Sequence, residues 1–184
     1  MKFISAAILL LMFSCVDENS NQSQPIAELY DYNVEEKIQS LGITLQAPSP
    51  PVANYVNSVR TGNLIFMAGK GPKKDDGDYI TGKVGSELSI EEGYAAARLT
   101  AVQQLSALKA ELGDLNKVVR IVKVLGMVNA DPNFTEHPSV INGFSDLMVE
   151  VFGVRGKHAR AAVGMGSLPT NIACEIEMIV EVRD

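Results

Sequence analysis

One arginine, Arg160, lies in a strand-like segment where its side chain could bind a carboxylate. Alternate residues of a strand point to the same face, so Arg160 shares a face with His158, Ala162 and Gly164. Ala162 and Gly164 are small, which leaves room for a ligand beside the arginine. A guanidinium binds a carboxylate through two parallel hydrogen bonds, which a lysine cannot reproduce. From the spacing alone, a surface ion pair is the alternative interpretation.

The segment Ile172–Val182 is predicted to form a strand with one apolar and one acidic face. The alternate residues of its apolar face are Cys174, Ile176, Met178, Val180 and Val182, and the acidic residues opposite are Glu175, Glu177 and Glu181. The apolar face is expected to lie beneath helices, and the acidic face to meet water, a partner subunit or a ligand. From the spacing alone, a solvated stripe is the ordinary interpretation for Glu175.

The sequence contains two histidines, His137 and His158, in no spacing that is typical of a zinc site, so we expect no metal. His158 could border the same cleft as Arg160, although a strand-edge histidine is the favoured interpretation. Cys174 lies within an apolar segment and has no partner cysteine in the body of the chain, so it is expected to be buried and inert.

Three helices are predicted to position these segments. The clearest runs from Ser89 to Leu112, because it begins with an S-x-x-E capping box and is followed by Gly113. A second is predicted from Pro138 to Phe152. A shorter one is predicted from Leu29 to Leu41, with Asn33 as a candidate N-cap.

The strands complete an α+β pattern. They are predicted at Tyr55–Val59, Asn63–Ala68, Val118–Val128, Ala159–Gly164 and Ile172–Val182, with a brief strand around Tyr79–Thr81 as a further candidate. The segment Val118–Val128 is almost continuously apolar and is expected to be covered on both faces. The order β-β-(β)-α-β-α-β-β predicts a mixed sheet with two helices on one face.

The composition is that of one globular domain with an acidic surface. The chain has 184 residues, of which 46% are hydrophobic and 21% charged, and its formal net charge is −6. Nucleic acids attract proteins mainly through Lys and Arg on phosphates, and the basic residues here are scattered. We therefore expect no nucleic-acid partner.

The first fifteen residues, MKFISAAILLLMFSC, have the layout of an export signal. A single positive charge, Lys2, precedes an apolar run that is too short to span a bilayer as a helix. The run ends in Ser14–Cys15, which resembles the lipobox of bacterial lipoproteins, although Met12 stands where lipoboxes prefer leucine.

These features predict the organisation of the chain. Residues 1–15 are expected to be a lipoprotein signal peptide whose lipobox residue, Cys15, is lipidated, and residues 16–32 to be a tether. Residues 33–184 are expected to form the domain with its N-terminal helix. The protein would then be exported and lipid-anchored to the bacterial cell envelope; an ordinary secretion signal is the alternative.

The run ARAAVGMGSLPTNIACEIEMIVEV resembles the C-terminal signature of the RidA family, also called YjgF or L-PSP. In that signature, an arginine-containing strand leads through Leu-Pro to an E-I-E strand. The segment ANYVNSVRTGNLIFMAGKGP is similar to the family's P-Y-x-x-(A/G)-x-x-x-G-N-x-x-x-x-S-G-Q region, and the resemblance covers residues 51–183. The additional N-terminal helix resembles a longer subgroup that is labelled endoribonuclease or chorismate-mutase-like.

The resemblance implies a chorismate-mutase-like fold that assembles as a homotrimer, with a cleft between each pair of subunits. In members that act as deaminases, water hydrolyses a reactive enamine or imine of an α-amino acid to a 2-keto acid and ammonia. No metal or organic cofactor is implied. The expected partners are a small carboxylate or imine metabolite, identical subunits, and the membrane through Cys15.

The resemblance also implies roles for individual residues. The family's carboxylate-binding arginine falls on Arg160, and its site glutamate falls on Glu175, which is expected at an adjacent strand position, where it could orient water or transfer a proton. The other implied substrate-binding positions are Tyr55, Gly69, Lys70 and Asn142.

Two departures from the family pattern bear on the substrate. The family's Ser-Gly-Gln is Ala68-Gly69-Lys70 in this chain, and Ala162 replaces a cysteine that many deaminases have. Lys70 either adds a second cation to the cleft or extends into solvent.

Three functions follow from the resemblance. The leading one is hydrolysis of imines or enamines of small carboxylates. The second is binding of a small carboxylate by a non-catalytic trimer, and the third is an endoribonuclease activity. The acidic composition and the predicted export both disfavour the third function.

Overall fold

The computed structural model describes residues 29–184, which form one mixed sheet with helices on one face. The strands are β1 (Ser58–Thr61), β2 (Leu64–Lys70), β3 (Val118–Asn129), β4 (Ala159–Met165) and β5 (Cys174–Val182). Their spatial order is β1-β2-β5-β3-β4, and only the β3–β4 pair is parallel. The predicted mixed sheet is confirmed. The candidate strand around Tyr79–Thr81 forms only isolated bridges.

The helices are α1 (Val34–Ser40), α2 (Ile90–Leu112) and α3 (His137–Phe152). Both hydrogen bonds of the predicted capping box at Ser89 are present, and Gly113 ends α2 in the left-handed conformation with φ of 72°. α3 connects the parallel strands β3 and β4, which a short turn could not join. α2 and α3 pack against each other and cover one face of the sheet.

The N-terminal helix is shorter than predicted. The side chain of Asn33 accepts two backbone N–H groups, as expected of an N-cap, so α1 begins at Val34 rather than at Leu29. The preceding residues are not helical, because the Tyr30 and Tyr32 hydroxyls donate to backbone carbonyl groups of β3 and α3. These long-range bonds hold the segment against the domain. The predicted signal peptide, Cys15 and most of the tether lie outside the described residues.

The core lies between the helices and the sheet. Ile121, Val124 and Val128 of β3 are buried beneath the helices, whereas Lys123 on the other face is exposed. The prediction that β3 is covered on both faces is therefore wrong for a single chain. In the described part of the chain, no helix is long and apolar enough to cross a bilayer.

Candidate functional site

Arg160 lies on β4, at the edge of the sheet, and reaches α3. Its Nη1 atom donates to Asn142 Oδ1 (2.9 Å) and to Ser145 Oγ (3.0 Å). Asn142 and Ser145 are three residues apart, which places them on the same face of α3. Among the described residues, Arg160 Nε and Nη2 have no hydrogen-bond partner. One side of the guanidinium is thus fixed, and the other side remains for a ligand.

His158 completes the support of this arginine. Its Nδ1 lies 2.7 Å from Gly156 O and its Nε2 lies 3.0 Å from Ser145 Oγ. A carbonyl only accepts, so Nδ1 carries the proton, and in the neutral ring Nε2 accepts from the Ser145 hydroxyl. Burial lowers the pKa of His158 and the nearby Arg160 charge lowers it further, although the contact with Gly156 O acts in the opposite direction. A neutral His158 therefore orients Ser145 to accept from Arg160.

Glu175 lies on β5, against the end of β2. The pairing of these strands is irregular between Met67 and Lys70, and a Cβ atom built on Gly69 would collide with the Glu175 carboxyl group. Only a glycine at position 69 allows this approach. Burial raises the pKa of Glu175, and the charge of Glu177 raises it further. A raised pKa makes the carboxylate a better proton acceptor than an ordinary glutamate.

Tyr55, Gly69 and Lys70 line one cavity of about 180 Å³. The Tyr55 side chain is exposed, and Lys70 Nζ donates to Asn57 Oδ1 at 2.5 Å. Burial lowers the pKa of Lys70. The Lys70 side chain is therefore partly buried in the wall of this cavity.

Within one chain, Arg160 and Glu175 do not lie on adjacent strands, so the expectation of adjacent strand positions is wrong. β3 separates β4 from β5. Arg160 pairs with Val124 and Glu175 pairs with Met127. These β3 residues are three positions apart, so they point to opposite faces. Arg160 faces the helices, whereas Glu175 faces the uncovered side of the sheet.

A single chain therefore carries two half-sites. The arginine half-site consists of Asn142, Ser145, His158 and Arg160, and the glutamate half-site consists of Tyr55, Gly69, Lys70 and Glu175. The structure brings Arg160 to Asn142 and brings Tyr55 and Lys70 to one cavity, and Glu175 meets this second group through Gly69. It does not bring the two half-sites together in one chain.

Three supporting residues were missed by the sequence analysis: Asn57, Gln104 and Ser145. The buried side chain of Gln104, on α2, donates to Ala68 O (2.9 Å) and Ile176 O (2.7 Å) where the β2–β5 pairing is irregular. Only Ser145 had a signal, because it follows Asn142 by three residues on a predicted helix. The other two depend on long-range packing.

This fold and these half-sites define a class of protein. The family described as "YjgF/chorismate mutase-like, putative endoribonuclease" matches residues 35–182. The chain belongs to this family, which confirms the predicted RidA relationship and fold.

Individual relatives cover most of the chain. The protein TCP17 of Trypanosoma cruzi is 45% identical over 82% of this chain and 95% of its own. The crystal structure of Atu1372 from Agrobacterium tumefaciens, a protein of unknown function, is 43% identical, has a TM-score of 0.75, and is matched over 82% of this chain and 94% of its own. A protein of Dermatophagoides farinae named 2-iminobutanoate/2-iminopropanoate deaminase is 28% identical over 72% of this chain and 89% of its own.

Proposed function

We propose that this protein hydrolyses imines or enamines of small α-amino acids to 2-keto acids and ammonia, at sites shared between subunits of a homotrimer. The observation that carries the proposal is the separation of the two half-sites on opposite faces of the sheet. Each is built around a group suited to one part of this reaction, and only a second copy can supply the missing part. The name of the deaminase relative supports the reaction class.

The uncovered face of the sheet provides a surface for that second copy. It carries a cavity of about 500 Å³ whose wall includes Phe66, Leu125 and Ile179. Phe66 is 44% exposed in the single chain. Exposed apolar surface of this kind is typical of a protein interface. Glu175 lies on the same face, so an occupant of this surface would approach the glutamate half-site.

The arginine half-site would bind the α-carboxylate. Asn142 and Ser145 hold Arg160 Nη1, so Nε and Nη2 can donate to two carboxylate oxygens. An α-imino carboxylate bound in this way has its C=N carbon next to the carboxylate, at a distance that the anchor sets. Arg160 therefore determines which carbon lies near the glutamate of the adjacent subunit.

The glutamate half-site would handle the water and the protons. The Glu175 carboxylate accepts a proton from water as the oxygen adds to the imine carbon, and it then gives this proton to the nitrogen. The resulting carbinolamine loses ammonia, which leaves the carbonyl of the 2-keto acid. One imine and one water thus give one 2-keto acid and one ammonia, without oxidation or reduction. The raised pKa of Glu175 makes its carboxylate a better acceptor of the water proton than an ordinary glutamate.

A complementation experiment tests the shared site. We expect Arg160→Lys and Glu175→Gln to be inactive separately and trimeric by sedimentation. When both are co-expressed, random assembly pairs an intact arginine with an intact glutamate at about one quarter of the interfaces, so about a quarter of parental activity should return. Arg60→Lys is the matched control, because Arg60 is an exposed β1 arginine paired with Asp184. A stable monomer, or mixtures as inactive as the single variants, would refute the shared site.

The place of action in this proposal is the cell envelope. The support is the apolar run that ends in Ser14–Cys15. Metabolic labelling with a fatty-acid probe should mark the parent and not Cys15→Ala. Equal labelling of the two would exclude a lipid anchor at this residue. Binding of 2-keto acids without turnover of any imine would instead identify a carboxylate-binding protein.

A further inference from the structure

The cavity beside Lys70 has a cationic wall. It lies between the proline-rich segment at residues 48–52 and the end of β2, and the residues that line it include Lys70, Lys73, Tyr55 and Tyr79. No carboxylate contributes to the cavity lining in the described part of the chain. This is unusual in a protein whose formal net charge is −6.

Both lysines use neutral acceptors. Lys70 Nζ donates to Asn57 Oδ1 (2.5 Å) and Lys73 Nζ donates to Ser49 Oγ (2.7 Å). Neither ammonium group forms an ion pair with any described carboxylate. An ammonium group has three N–H donors, so each lysine retains donors for a ligand. The neighbouring Lys74 differs, because it pairs with Asp76 at 3.3 Å.

The cationic cavity adjoins the glutamate half-site. Gly69 contributes to the cavity lining, and the Glu175 carboxyl group lies where a Cβ atom of residue 69 would be. A ligand whose reacting carbon lies near Glu175 could therefore place its side chain in the cavity. Burial of an unpaired ammonium group is unfavourable, and an anionic side chain would offset that cost at Lys70.

We propose that this cavity binds a second carboxylate, and that the preferred ligands are α-imino and α-keto dicarboxylates. The inference deepens the proposed function: the α-carboxylate binds Arg160 of one subunit, and the distal carboxylate binds Lys70 and Lys73 of the next. Lys70, at the position of the family's glutamine, then selects for the length and charge of the substrate side chain.

The test compares ligands of equal length on the purified full-length protein. Calorimetry should show that 2-oxoglutarate binds at least tenfold more tightly than 2-oxopentanoate. Lys70→Gln retains an amide donor for Asn57 and should remove this preference for 2-oxoglutarate over 2-oxopentanoate. Lys70→Arg retains a cation and should keep the preference for 2-oxoglutarate. Lys74→Gln is the matched control and should bind as the parent does.

The outcomes separate this inference from the proposed function. Equal affinity of the parent for the two keto acids, or an intact preference in Lys70→Gln, would overturn the dicarboxylate site even if imines are hydrolysed. If no keto acid binds, glutarate serves as a second probe. Glutarate binding that requires Lys70 would support the cationic cavity while the proposed reaction fails, and absence of glutarate binding would refute the cavity as well.

Discussion

The support of Arg160 by α3 allows a quantitative prediction for Ser145→Ala. The serine hydroxyl accepts from Arg160 Nη1 at 3.0 Å and lies 3.0 Å from His158 Nε2. Alanine removes both interactions and leaves the second guanidinium contact, to Asn142, in place. The substitution should therefore loosen the arginine without displacing it.

The expected loss of free energy depends on how strongly Ser145 binds the charged guanidinium and on how far water can replace it. A hydrogen bond to a charged group contributes about 1.5–3 kcal/mol, but Arg160 is only partly buried and water can replace part of the interaction, so we expect about 1–2 kcal/mol. If this loss appears in ligand binding, the affinity for a 2-keto acid falls about fivefold to thirtyfold. Ser145→Thr keeps the hydroxyl and should recover most of the affinity.

Calorimetry with 2-oxobutanoate at pH 7.5 measures this effect. Ser139→Ala is the matched control, because Ser139 also lies on α3 and its hydroxyl donates to Glu136 rather than to Arg160. The double variant Ser145→Ala with Arg160→Lys should bind no more weakly than Arg160→Lys alone, since Ser145 acts through the arginine. Parental affinity in Ser145→Ala, or additive losses in the double variant, would refute the positioning role.

Three further predictions follow from burial and packing. Gly69→Ala should lower the unfolding free energy by about 1–3 kcal/mol and abolish turnover, because the alanine Cβ collides with the Glu175 carboxyl group. Denaturant titration measures the change in unfolding free energy, and an unchanged midpoint would contradict this prediction. The pKa of His158 is lowered in the folded state, so the unfolded chain binds a proton more readily. The contribution of neutral His158 to the unfolding free energy is therefore fully present above pH 6.5 and decreases as the pH drops from there to the folded pKa. His158→Gln should flatten that part of the curve of unfolding free energy against pH. Cys174 is buried and its thiol pKa is raised to about 12, so alkylating reagents should modify it only in denaturant, and rapid labelling of the native protein would contradict the packing.

Local signals determined much of the fold from the sequence. The limits of α2 were predicted because a capping box and a left-handed glycine depend on residues within one or two turns. The two faces of β5 were predicted because alternation is a property of a single strand. The start of α1 was predicted too early, because the hydroxyls of Tyr30 and Tyr32 donate to carbonyl groups that are distant in sequence, and helical periodicity cannot reveal such bonds.

The same reasoning explains how far the site could be predicted. The family resemblance identified Arg160 and Glu175 as a possible binding pair, whereas the spacing within each strand predicted only which neighbours share a face with each residue. The sequence could not determine that β3 lies between their strands, since strand order is set by long-range pairing. Alternation relates residues within one strand, and only the register across β3 relates Arg160 to Glu175. The tertiary structure therefore decided that the two side chains lie on opposite faces of the sheet. Side chains on opposite faces of one sheet cannot meet within a single chain, because the sheet lies between them.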